Sequence, residues 1–61
     1  MIYEKVVKLC EKEKISIAAL ERKADIGNGV IAKWKDGDPK ISTVKKAADA
    51  LGIDIKELLE G

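Results

Sequence analysis

The chain has 61 residues, 46% of them hydrophobic and 38% charged, and its net charge is +1. That balance excludes a disordered tail and leaves material for one small core. No apolar run approaches the roughly 18 residues that cross a bilayer, the opening stretch has no signal-peptide layout, and Cys10 stands alone without a disulfide partner.

With no Phe, one Tyr and one Trp, the core has to be aliphatic. Apolar residues recur at spacings of three and four, the period of helix and not of strand. A first helix is expected over 2–12, with Ile2, Val6, Leu9 and Cys10 as its stripe and Tyr3 and Val7 beside it. Lys5, Lys8, Glu11 and Lys12 are left in water. Ser16 is placed to cap a second helix through its hydroxyl, with Ile17, Leu20 and Ala24 inward and a turn at 25–27. A third helix is expected over 28–35, ended by Gly37 and Pro39. The fourth opens at Ser42, again as a cap, and buries Val44, Ala47, Ala48 and Leu51 before Gly52 closes it in a left-handed conformation. Asp54 to Glu57 reads as an acidic capping box for a fifth short helix, with Leu58 and Leu59 inward. The expected architecture is all-α: one compact domain over 1–61, of five short helices.

Charge is unevenly spread. Residues 21–46 carry a net +3 and residues 47–61 a net −3. The basic share falls on the segment that also has the most suggestive geometry. Within 16–37, Leu20 and Ala24 lie on one helix, and Ile31 and Trp34 on the next. About three turn residues join them, and the small Ala24 lets the helices approach closely, so they must cross steeply. This is helix-turn-helix geometry, in which the second helix enters the major groove of double-stranded DNA.

At about 100° per residue, Ile31 and Trp34 define the buried side of that second helix. The opposite face carries Gly29, Ala32, Lys33 and Asp36, with Asn28 on the flank at its start. An Asn amide pairs with adenine, a Lys donates to guanine acceptors, and an Ala methyl fits against a thymine methyl. Gly29 costs a helix about 1 kcal/mol relative to Ala, which close approach to a partner would account for.

Plainer readings stand beside these. Asn28 is a good helix cap, and Lys33 and Lys35 fit an ordinary solvated face. Trp34 reads as core and not as a base-stacking residue. Cys10 reads as a small core residue, since the chain has no His to activate it. The acidic pairs Asp36/Asp38 and Glu57/Glu60 read as surface charge. No enzyme activity, cofactor or metal is expected.

Ile15-Ser16-Ile17-Ala18-Ala19-Leu20, then Ala24, Ile31, Trp34 and Gly37, then Leu51-Gly52-Ile53 and Leu58-Leu59, resemble the Cro/C1-type helix-turn-helix family, also called the xenobiotic-response-element (XRE) type. The stretch from Ala47 to Gly61 is the most specific part of the likeness. The resemblance implies a five-helix, lambda-repressor-like fold, operator DNA and usually dimers. By position it implies Asn28, Gly29 and Lys33 as base readers, and Ser16 and Lys40 at phosphates. Ala32 and Lys35 complete the candidate DNA-binding set. The chain departs from the family pattern in several places. Ile17 stands where Gln often grips a phosphate, Asp25 where the turn usually has Gly, and Cys10 where Arg is common. Val30 and Ala32 replace Ser or Thr, and Asp36 and Asp38 lie where phosphates approach.

The expected function is therefore that of a cytoplasmic transcriptional regulator, a repressor, with a homodimer formed through the C-terminal helix. The alternative is a protein-binding module on the same fold, antirepressor or antitoxin-like. A third reading is a domain cut from a longer repressor, or a redesigned scaffold, that keeps the fold and has lost the activity.

Overall fold

The computed structural model describes residues 2–59. The apolar stripe at the start of the chain becomes α1 (Ile2–Glu13), with Val6 and Cys10 buried and Ile2 and Leu9 packed at the edge of the core. Ser16 opens α2 (Ile17–Lys23) as expected: its Oγ accepts from the Ala19 N–H at 3.0 Å, a cap of about 1 kcal/mol. A 3₁₀ segment (Ile31–Lys35) follows, then α3 (Ile41–Leu51) and α4 (Lys56–Leu59). α1 packs against the 3₁₀ segment, α2 and α4, while α2 packs on α3. One core results, made of Val6, Cys10, Leu20, Ala24, Ile26, Ile31, Trp34, Val44, Ala47, Ala48, Leu51 and Leu58.

The all-α expectation holds, but the third of the five expected helices is not an α-helix. Residues 28–30 form turns, and only Ile31–Lys35 is helical, in the tighter 3₁₀ form. Trp34 and Ile31 are three residues apart, the spacing that a 3₁₀ turn stacks on one side. Both bury, at 5% and 0% exposure.

The expected cap at Ser42 is also displaced. α3 begins at Ile41, and the Lys40 carbonyl accepts from both Thr43 and Val44 at 3.0 Å. Two backbone bonds from an earlier start replace the one bond that a Ser42 cap offers. At the last helix, Asp54 Oδ1 accepts from the Lys56 N–H at 2.9 Å. This caps the helix two residues on and is not the expected capping box, since the Glu57 N–H donates to the Asp54 backbone carbonyl at 2.9 Å. Leu58 is buried, but Leu59 is 46% exposed and not inward as expected. Neighbours on a helix diverge by about 100°, and so short a helix turns only one of them to the core.

Three helices end in the same way. After α1, Lys14 has φ 58°, its N–H donates to Glu11 C=O, and the next N–H, that of Ile15, reaches back to Cys10 C=O. After α2, Asp25 has φ 58°, with Asp25 N–H to Arg22 C=O and Ile26 N–H to Glu21 C=O. After α3, Gly52 has φ 72°, with Gly52 N–H to Asp49 C=O and Ile53 N–H to Ala48 C=O. Each is a Schellman closure, in which one left-handed residue lets two otherwise orphaned carbonyls be satisfied. Each is followed by an isoleucine that packs on the core. Only one of the three left-handed positions has glycine.

Left-handed backbone costs a residue with a Cβ roughly 1 kcal/mol or more. Lys14→Gly and Asp25→Gly should therefore each raise stability by about 0.5–1 kcal/mol, and Gly52→Ala should lower it by about 1 kcal/mol. Urea melts followed by helical circular dichroism measure all three. Equal and negligible effects at the three positions would contradict the shared closure.

Candidate nucleic-acid interface

The inward face of α2 carries Ile17, Leu20, Glu21 and Ala24, the i, i+3, i+4, i+7 pattern of a buried stripe. One member is charged. Glu21 is 3% exposed, and its carboxylate is satisfied by backbone. The Gly29 N–H donates to Oε1 at 3.1 Å and the Ile31 N–H to Oε2 at 3.0 Å. Both oxygens are thus used to hold the chain as it leaves the turn. An unpartnered buried N–H costs about 1–3 kcal/mol, so this carboxylate defines where the 3₁₀ segment starts.

That finding changes the reading of two residues. Asn28 was a candidate cap, but the N–H groups at the start of this segment go to Glu21. Gly29 is not inside a helix; it has φ +85°, and a Cβ built there meets nothing within 4 Å. Glycine is needed there for the backbone conformation, and nothing within the chain crowds it. Gly27 is different, since a Cβ there would stand 3.2 Å from Val30 Cγ2.

Residues of a 3₁₀ turn are about 120° apart. With Ile31 and Trp34 inward, Ala32 and Lys35 share one outer face and Lys33 and Asp36 share the other. All four are exposed. This corrects the α-helical projection, which put Ala32, Lys33 and Asp36 on one face. The nearest acid to Lys33 along its own face is therefore Asp36. Lys35 leans the other way: its Nζ stands 5.4 Å from the ring centroid of Tyr3 on α1, a cation–π contact worth about 0.5–1 kcal/mol at an exposed site. Asn28 is exposed, Gly29 partly so.

The remaining candidates stand at helix starts. Ser16 opens α2 and Lys40 precedes α3, both exposed, and these two helices pack on each other. Sequence reasoning missed Glu21 and the Tyr3–Lys35 contact. The signal for Glu21 was present: a carboxylate on the stripe defined by Leu20 and Ala24.

Residues 5–60 match the family described as the Cro/C1-type HTH DNA-binding domain. The chain belongs to this family. No curated protein and no solved structure matches it significantly. A Cro/C1-type domain binds DNA, which agrees with an exposed segment presented on a fixed turn. No helix among the described residues is long and apolar enough to cross a membrane. Among the same residues no group of three or more His, Cys, Asp and Glu is placed to hold a metal ion.

Cys10 is buried within this Cro/C1-type core, and burial pushes the pKa of its thiol up. The neutral thiol is the form that folding favours. Its contribution is fully present below the thiol pKa of the unfolded chain, about 8.5, and is lost as pH rises through the folded value. Wild type should therefore lose stability relative to Cys10→Ala above about pH 8.5. Thermal melts of the two proteins across pH 7–10 test this, and parallel curves would contradict it.

Proposed function

We propose that this chain is a sequence-specific transcriptional regulator, acting as a repressor, whose helix-turn-helix unit over 16–37 sets the segment 28–35 in the major groove of operator DNA. The observation that carries this reading is the anchoring of that segment. Ile31, Trp34 and the Glu21 carboxylate fix it from the inside while Asn28, Ala32 and Lys33 stay exposed. Asn28 and Lys33 supply hydrogen bonds to base edges, and Ala32 an apolar contact. Gly29 presents no side chain between them. Ser16 and Lys40 contact phosphates, which set register without reading sequence. Lys35, drawn toward Tyr3, contributes general positive charge.

A homodimer formed through α4 would place two such segments on half-sites about one DNA turn apart. Leu59 at 46% exposure, with the partly buried Ile53 and Ile55, offers the contact. The alternative reading is a protein-binding module of the antirepressor or antitoxin kind. The net charge of +1 and the acids Asp36 and Asp38 directly after the segment favour it.

Selection from random DNA duplexes at two salt concentrations separates the two. Enrichment of a motif, with affinity falling steeply as salt rises, supports the regulator; no enrichment at low salt sinks it. Lys33→Ala should relax preference at one base position. Lys40→Ala should weaken all sequences alike and reduce the salt slope by about one. Identical behaviour of the two variants across operator variants would refute this division of roles.

A further inference from the structure

Asn28 and Lys33 are carried by a short stretch of backbone with little regular structure of its own. Residues 28–30 are turns, and the Val30 N–H reaches Gly27 C=O at 3.2 Å. Val30, which precedes the 3₁₀ segment, makes no side-chain cap bond. Among the described residues, both side-chain hydrogen bonds to the backbone of 28–31 come from Glu21. One oxygen holds the residue after Asn28, and the other holds the residue before Ala32. Two points of one rigid, planar carboxylate thus fix the Asn28–Gly29 and Val30–Ile31 peptide units.

We propose that Glu21 is a positioning residue for base discrimination: from inside the protein it sets the pose in which Asn28 and Lys33 meet DNA. This rests on the DNA-binding reading above. At 3% exposure Glu21 does not touch a ligand, so its effect is transmitted through the Gly29 and Ile31 N–H groups. Those groups are also withheld from phosphate. Register then falls to Ser16 and Lys40, and pose to Glu21. The two functions separate: altering Glu21 changes the preference among sequences and leaves sequence-independent affinity nearly intact.

The test compares wild type with Glu21→Gln, which keeps the shape but offers one acceptor oxygen and sets an NH₂ against the other N–H. Dissociation constants are measured on the duplex enriched by random selection and on a scrambled duplex, at a temperature where circular dichroism shows both proteins folded. Glu21→Gln should lower the ratio of the two constants by about tenfold, the discrimination carried by one good base contact. Binding to the scrambled duplex should change by less than about threefold, since phosphate contacts remain. The loss caused by Asn28→Ala should shrink in the Glu21→Gln background, because misplaced readers have less to lose. Cys10→Ala, which weakens the core on α1, controls for stability alone and should leave the ratio unchanged.

Should Glu21→Gln fail to fold, Glu21→Asp keeps the charge and both acceptor oxygens but draws them back by one methylene from the Gly29 and Ile31 N–H groups. It should lower the ratio in the same way. An unchanged ratio in the folded variant, or an equal drop in Cys10→Ala, overturns the positioning role while the DNA reading stands. A wild type that shows no discrimination at all overturns both.

Discussion

A carboxylate removed from water has to be given donors, because leaving it bare in an apolar interior costs far more than such a domain can absorb. Glu21 meets that requirement with two backbone N–H groups 8 and 10 residues further on. The bonds are charge-assisted, short in sequence span and directional, and they join α2 to the segment after the turn more specifically than apolar contact alone. Ile31 and Trp34 then have one way to reach the core, and α1 packs over the segment that carries them. Burial supplies most of the free energy; the carboxylate supplies the register.

The same logic explains what the outer surface can offer. A 3₁₀ segment of five residues presents two narrow faces and not one broad one. Lys33 shares its face with Asp36, and Lys35 is drawn toward Tyr3. On α3, Lys45 pairs with Asp49 at 3.9 Å with both side chains about two-thirds exposed, and such pairs add little to stability. A DNA-binding domain built this way leans on geometry more than on field strength.

Much of this was legible from residue order. The stripes of α1 and α3, the Ser16 cap and the Gly52 closure each follow from a local rule, and each is found. Asp25 stands where the family pattern usually has Gly, and its backbone is left-handed. What escaped depends on tertiary contact. Lys14 is left-handed although nothing in lysine favours it; the closure bond from Ile15 and the seat that Ile15 takes at the core edge impose it. The start of the segment at Ile31 depends on the Glu21 tether, which takes up the Ile31 N–H from another helix. Ser42 as a cap and Leu59 as core fail because local preference is weaker than one more backbone bond, or than the single inward direction of α4. At the candidate interface, the exposed residues were readable and their support was not, since support is a property of the partner helix.

Ile15, Ile26 and Ile53 each stand one residue past a reversal of the backbone, packed on the core. Each acts as a stop for the helix before it. Lengthening α1, α2 or α3 by one residue would rotate the reversal by about 100° and pull the isoleucine from its seat. Helix length in this domain is therefore fixed in steps and not continuously adjustable. The chain should accept substitutions along its helices far more readily than single-residue insertions within them, and insertions that survive should fall in the loop around Gly37, where a Cβ meets open space.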